Sequence, residues 1–229
     1  MARHIGIVGC SAEGAALCYR TLAGEGAPLM GEHNHPEITM HTHPLAAYIG
    51  PIRAGDWPAV AELMLSSARI VAAAGAELAV CPDNTIHQAF DLVEPRSPIP
   101  WLHIAREVAR EARRTGYETV GVLGTKYLMT GPVYPEAFAP AGIRAVIPEA
   151  PDRERIDATI FNELVYGVCT EASRAFFQGV IASLASRGAS AVVLGCTEIP
   201  LLIGPDQSPL PTLDSTRLLA RAALREALA

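Results

Sequence analysis

The chain has 229 residues, half of them hydrophobic, and carries a net charge of −6. It therefore holds apolar material for one large core or two modest ones, and its Lys and Arg residues form none of the clusters a nucleic-acid footprint requires. The longest apolar runs, such as residues 189–194, have the length of a strand and are too short to span a bilayer, so no membrane segment is expected.

Met1-Ala2-Arg3-His4 leads straight into the apolar run of residues 5–8, with no cleavable leader pattern. That run ends in Gly9-Cys10-Ser11 and reads as a strand followed by a tight loop. Residues 31–44 read as a loop and strand that hold His33, His35, His41 and His43. Residues 57–74 show apolar positions at spacings of three and four, the mark of an amphipathic helix. A short strand at residues 78–80 runs into Cys81-Pro82-Asp83-Asn84-Thr85, and residues 101–114 return to helical spacing. Residues 119–123 form the next strand, residues 171–186 a further helix and residues 191–194 a last strand, which ends in Gly195-Cys196-Thr197-Glu198. Strands alternating with amphipathic helices predict βαβ units and a parallel, doubly wound α/β architecture. In such folds the functional residues collect at the carboxyl ends of the strands. The five cysteines (Cys10, Cys18, Cys81, Cys169, Cys196) form neither CxxC nor disulfide-like spacing, which predicts a reduced, cytoplasmic, soluble protein.

The chain also repeats itself. Gly75-Ala76 falls on Gly188-Ala189, and Asp83 falls on Cys196, both at an offset of 113 residues (75 to 188, 83 to 196). Gly6-Ile7-Val8-Gly9 likewise resembles Gly121-Val122-Leu123-Gly124. Two such lobes facing one another would place Asp83 and Cys196 on opposite walls of a cleft. Inverting a stereocentre without a cofactor needs one group to take a proton from one face and another to return one to the opposite face. A thiol is suited to that work, and so is a carboxylate in a tuned environment. Asn84, Thr85 and Thr197, beside the two reactive positions, are candidates to stabilise the enolate-like charge.

Asp83-Asn84-Thr85-Ile86-His87 resembles the (Cys or Thr)-Asn-Thr-x-His element of the aspartate/glutamate racemase family. Gly195-Cys196-Thr197-Glu198 resembles the family's Gly-Cys-Thr-Glu element. The opening Gly6-Ile7-Val8-Gly9 with Ser11 is similar to its glycine loop, and Gly124-Thr125 with Thr130 to its Gly-Thr…Thr loop. Cys169-Thr170-Glu171-Ala172-Ser173-Arg174 is similar to a further segment of it. The resemblance covers nearly the whole chain. It implies a cofactor-independent, pyridoxal-phosphate-free amino-acid racemase or epimerase for aspartate or glutamate, with two pseudo-symmetric α/β lobes and the active site in the cleft between them. On that reading residues 1–97 with 207–229 form the first lobe and residues 98–206 the second, and the protein pairs as a homodimer. Asp83 and Cys196 are the catalytic pair, and Ser11, Asn84, Thr85, Thr125, Thr130 and Thr197 the substrate-binding set. His87 and Glu198 stand behind them; no cofactor and no metal take part.

One position departs from the pattern: Asp83 stands where the family's first catalytic Cys is expected, with Cys81 two residues earlier. The family includes one-cysteine members, so a decarboxylase or cis–trans isomerase of a related acid, or a non-catalytic small-molecule-binding relative, stays open. Asp83 also suits capping of a following helix, His87 suits either an orienting role or the core, and Cys10 either lines the cleft or packs. Cys18 and Cys169 read as core or helix residues. No residue matches the base that holds a distal carboxylate in some members, for which Arg53, Arg174 and Lys126 are the substitutes. The four histidines at HxH spacing offer a zinc-site alternative.

Overall fold

The structure is a computed structural model that describes residues 2–229. It divides into two compact units, Met1–Glu107 with Thr216–Ala229, and Val108–Ser215. The first unit contains β1 (Ile5–Gly9), α1 (Ala12–Met30), β2 (Ile38–Thr42), α2 (Leu45–Ala54), α3 (Trp57–Ala73), β3 (Leu78–Val80), α4 (Phe90–Val93) and β4 (Trp101–Leu102). Then α5 (Ile104–Thr115) carries the chain from the first unit into the second. The second contains β5 (Thr119–Leu123), α6 (Lys126–Thr130), α7 (Val133–Phe138), β6 (Arg144–Val146), α8 (Ala150–Asn162), α9 (Glu171–Ser186), β7 (Ala191–Leu194), α10 (Ile199–Leu202) and β8 (Thr212–Asp214). The last helix, α11 (Ser215–Leu228), belongs to the first unit from Thr216 onward.

Each unit is built on one four-stranded, wholly parallel sheet. The orders are β2-β1-β3-β4 and β6-β5-β7-β8, the same arrangement twice. Leu78 and Val80 share a face with Ile5 and Ile7, as the two-residue strand period requires, and that face packs against Cys18 and Leu22 of α1 and Leu219, Ala220, Ala223 and Leu224 of α11. In the second unit Leu123, Val192 and Leu194 pack with Ile156 and Ile160 of α8 and Phe177, Ile181 and Leu184 of α9.

The repeat is visible in backbone as well as in topology. Gly75 (φ 102°) and Gly188 (φ 93°) close the turns after α3 and α9 in the left-handed region, where a side chain would be strained. A Cβ on Gly6 would stand 2.6 Å from Val71 of α3, and one on Gly121 would stand 3.0 Å from Leu184 of α9. The helix that precedes the third strand therefore presses on the first strand in both units.

Two expectations need correction. The sequence reading started a helix at residue 101, but Trp101 and Leu102 pair with Ala79 and Val80 as β4. Pro98 and Pro100 favour extended chain there, and the helix begins only after His103, whose Nδ1 accepts from the backbone N–H of Ala105 (3.2 Å) and Arg106 (3.4 Å). The expected lobe bounds, 97/98 and 206/207, also shift. β4 completes the first sheet and β8 the second, so the divisions fall at 107/108 and 215/216.

Candidate active site

In a doubly wound sheet the site forms beyond the strand ends where the order reverses. In the first unit that point lies between β1 and β3, and in the second between β5 and β7. The loops there are Cys10-Ser11 and Cys81–Thr85 in one unit, and Gly124-Thr125 and Gly195–Glu198 in the other. Seven of the eight catalytic and substrate-binding residues read from sequence lie on these four loops. The exception is Thr130, which ends α6, is exposed, and donates its hydroxyl to the Lys126 carbonyl at 2.8 Å.

Ser11 caps α1, its Oγ accepting from the Gly14 N–H (3.2 Å), and Thr125 caps α6 in the same way through the Leu128 N–H (3.2 Å). Both are buried, so two hydroxyls occupy matching places after the first strand of each sheet.

Asp83 is half-buried between the buried neighbours Pro82 and Asn84, and its Oδ1 accepts from the Ile86 N–H at 3.2 Å. It thus caps the 3-10 turn Thr85–Ala89. Its main chain is held from two other sides. The Asp83 N–H is directed at the Cys81 sulfur, and the Asp83 carbonyl accepts from His87 Nδ1 at 2.6 Å. His87 Nε2 accepts from the Ile104 N–H (3.3 Å), which leaves the proton on Nδ1. This ring is 3% exposed, and burial, opposed by the Asp83 carbonyl and reinforced by Arg106, brings its pKa down to about 4. His87 is therefore a neutral strut between the Asp83 loop and the start of α5. Cys81 is fully buried, and burial first, then the Asp83 charge, hold its thiol well above the ordinary range. A thiol held protonated in this way is a poor base.

On the second unit's loop Cys196 is the half-buried residue among buried ones. Its Sγ–H donates to Glu198 Oε2 at 2.9 Å, and the Thr197 hydroxyl donates to the same oxygen at 2.8 Å. Glu198 is only 3% exposed. A buried carboxylate that collects a thiol and a hydroxyl fixes both side chains and offers the thiol proton a destination.

Of the remaining cysteines, Cys10 is buried beside Ser11 and Cys18 lies in the core, where burial raises its thiol to about 12. Cys169 is exposed ahead of α9 instead of lying in core or helix, because Gly167 ends the preceding turn in the left-handed region and the chain runs outward before Thr170 caps the helix. The four histidines do not converge. His33 stands by Glu32, His35 Nδ1 meets the Pro36 carbonyl, and His41 Nδ1 meets Ser67 Oγ. Among the described residues no group of three His, Cys, Asp or Glu side chains is placed to hold a metal. The proposed substitutes for a distal base are placed elsewhere. Lys126 pairs with Glu154, Arg174 pairs with Glu171 and the Leu202 carbonyl, and Arg53 is exposed in the last turn of α2.

The sequence reading missed Tyr48. It is 0% exposed on α2, and its phenol faces Cys81, Cys10 and Asp83, which together with burial push its pKa up. The Ser67 hydroxyl stands beside it without closing a hydrogen bond, and the phenol has no partner among the described residues. The only available signal was its spacing of four from Ile52, the other buried residue of that short helix.

The Asp/Glu/Hydantoin racemase family model matches residues 6–223. The broad specificity amino-acid racemase RacX of Bacillus subtilis is 22% identical over 200 residues, covering 86% of this chain and 84% of RacX. Among solved structures, a candidate Asp/Glu racemase from Yersinia pestis superposes with a TM-score of 0.90 at 30% identity, over 99% of this chain and all of the other. An aspartate racemase homologue from Pyrococcus horikoshii OT3 gives 0.85 at 26%, again over 99% of this chain and all of the other. Glutamate racemase from Francisella tularensis, solved with D-glutamate, shares the fold at 14% identity, with a TM-score of 0.75 over 99% of this chain and 81% of its own.

Proposed function

The chain belongs to the Asp/Glu/Hydantoin racemase family, and from that premise we propose that it is an amino-acid racemase that works by two-base proton transfer at the α-carbon. The observation that carries the reading is the pairing of positions. Asp83 and Cys196 occupy equivalent loops after β3 and β7, each half-buried among buried neighbours. In one direction the Asp83 carboxylate takes the α-proton, and Cys196 gives its thiol proton to the other face of the carbon. In the reverse direction the Cys196 thiolate left by that step removes the α-proton while protonated Asp83 supplies the new one, and Glu198, whose Oε2 accepts from the Cys196 thiol, relays the thiol proton between turnovers. Ser11, Asn84, Thr85, Thr125 and Thr197 bind the substrate carboxylate and the charge that develops on it.

Because each lobe supplies its own acid/base group, the reaction runs without pyridoxal phosphate or metal. Five cysteines that form no disulfide among the described residues suit a reducing cytoplasm, and the resemblance to the family adds a homodimer. Incubation with single enantiomers in D₂O tests the reading. Racemisation with α-deuteration that survives chelators and carbonyl reagents supports it. Decarboxylation, or deuterium entry with no loss of optical activity in the parent protein, replaces it with single-acid chemistry.

A further inference from the structure

The first lobe holds a second row of polar side chains that this proton transfer does not use. β2 ends at Thr42, and the rings of His41 and His43, two residues apart and so on one face, meet edge-on with centroids 4.9 Å apart. His41 Nδ1 pairs with Ser67 Oγ at 2.9 Å, and Ser67, on α3, is fully buried. Beside Ser67 stands the Tyr48 hydroxyl, which also faces Asp83. Two atoms of this row, His43 Nε2 and Tyr48 Oη, are buried and hydrogen-bond to nothing among the described residues. Buried polar atoms left unpaired are costly and rare in native proteins. Here two of them stand in the lobe that carries Asp83.

The chemistry of the row defines what it takes. A phenol and an imidazole offer hydrogen-bond donors and acceptors, and no Lys or Arg belongs to the row. Of the cations that the sequence offered for a distal carboxylate, Lys126 and Arg174 are paired with Glu154 and Glu171, and Arg53 is exposed on α2. A second substrate carboxylate would enter next to Asp83 with no counter-charge. A side-chain amide or hydroxyl meets the same groups with matching donors and acceptors.

We propose that Tyr48 and His43 form a side-chain subsite of the first lobe, selective for amino acids whose side chain ends in an uncharged hydrogen-bonding group, an amide above all. The proposal rests on the racemase reading and narrows its substrate away from aspartate and glutamate.

The experiment compares α-hydrogen exchange in D₂O of asparagine, glutamine, serine, alanine, aspartate and glutamate by the parent and by Tyr48→Phe. The parent is expected to favour an amide over both acids by about tenfold or more in kcat/KM. Tyr48→Phe should raise KM for the amide about tenfold or more and leave alanine within about twofold. A parent that prefers the acids, or a Tyr48→Phe variant that slows alanine as much as the amide, overturns the subsite. If no amino acid exchanges, the racemase reading fails, and calorimetric titration with asparagine and aspartate then decides the subsite alone. Asparagine binding the parent more tightly, with the advantage lost in Tyr48→Phe, upholds it, and equal binding overturns it. The melting temperature of Tyr48→Phe, expected at or above that of the parent, shows that the variant is folded.

Discussion

The loops after β3 and β7 sit at the same place in two copies of one sheet, yet they hold the proposed acid/base side chains, Asp83 and Cys196, by different means. In the first lobe the main chain of Asp83 is fixed by Cys81 on one side and by the neutral His87 ring on the other, and its carboxyl caps the next turn. In the second, Cys196 is held through its own thiol, which donates to the buried Glu198. The comparison separates two tasks. The duplicated strand order decides where a reactive group stands, and the few residues after the strand decide whether it is clamped through its backbone or coupled to a proton acceptor.

Removing the thiol should break the comparison most severely. Cys196→Ser is expected to lower racemisation at least a thousandfold, because a hydroxyl is a far weaker acid and base near neutrality. Cys169→Ser, at an exposed site, should leave it unchanged, and equal losses in both would make Cys196 structural. Asp83→Asn comes next, with an expected loss of about a hundredfold or more in racemisation. Asn keeps the cap but cannot carry the proton, so deuterium should still enter one enantiomer. Racemisation at the parent rate would reduce Asp83 to a cap. For Glu198→Gln, where Gln retains an oxygen for Thr197 but accepts no proton, kcat should fall about ten- to a hundredfold with little change in KM. An unaltered kcat would show that Cys196 needs no acceptor beside it.

The smallest effect is on stability, and it should mark the first lobe alone. His87 is neutral in the fold, with its pKa brought down to about 4 from an ordinary value of 6.5. Between those two pH values the unfolded chain binds more protons than the folded one. Stability should therefore fall as the solution is acidified from about 6.5 to 4, by at most about 3 kcal/mol, and this contribution levels off below. Replacing His87 by Phe should make that part of the denaturation profile shallower, the remaining slope coming from His103, whose pKa burial lowers to about 2. The Cys196 loop contains no histidine, so a variant there should leave the slope as it is.

Where the sequence was legible, the signal was local or repeated. The strands at residues 78–80, 119–123 and 191–194 were readable because each is a short apolar run closed by Gly, Pro or a polar residue, and the offset from Asp83 to Cys196 survives as equivalent loops. β4 was not legible, because two residues carry no period of their own and exist only through pairing with Ala79 and Val80. Nor was the row from His43 to Tyr48. Its members come from β2 and its following turn, α2 and α3, and only the packing of the first lobe assembles them. Spacing alone turned the same histidines into a zinc candidate, since sequence shows that His41 and His43 share a face but not that Ser67 waits opposite.

The last helix has a consequence for how the protein is made. Apolar positions of α11 complete the core around Ile5 and Leu22, and the chain ends are tied by Arg3 N–H to the Ala227 carbonyl (2.8 Å), by Arg3 to Glu226, and by Arg221 to Glu25. The second lobe is one uninterrupted stretch, whereas the first consists of two stretches more than a hundred residues apart. A ribosome thus releases all of the second lobe while the first still lacks part of its core. Until α11 leaves the exit tunnel, the part of the Ile5, Ile7, Leu78 and Val80 face that it covers lies open to water and chaperones, with α1 packed against that face.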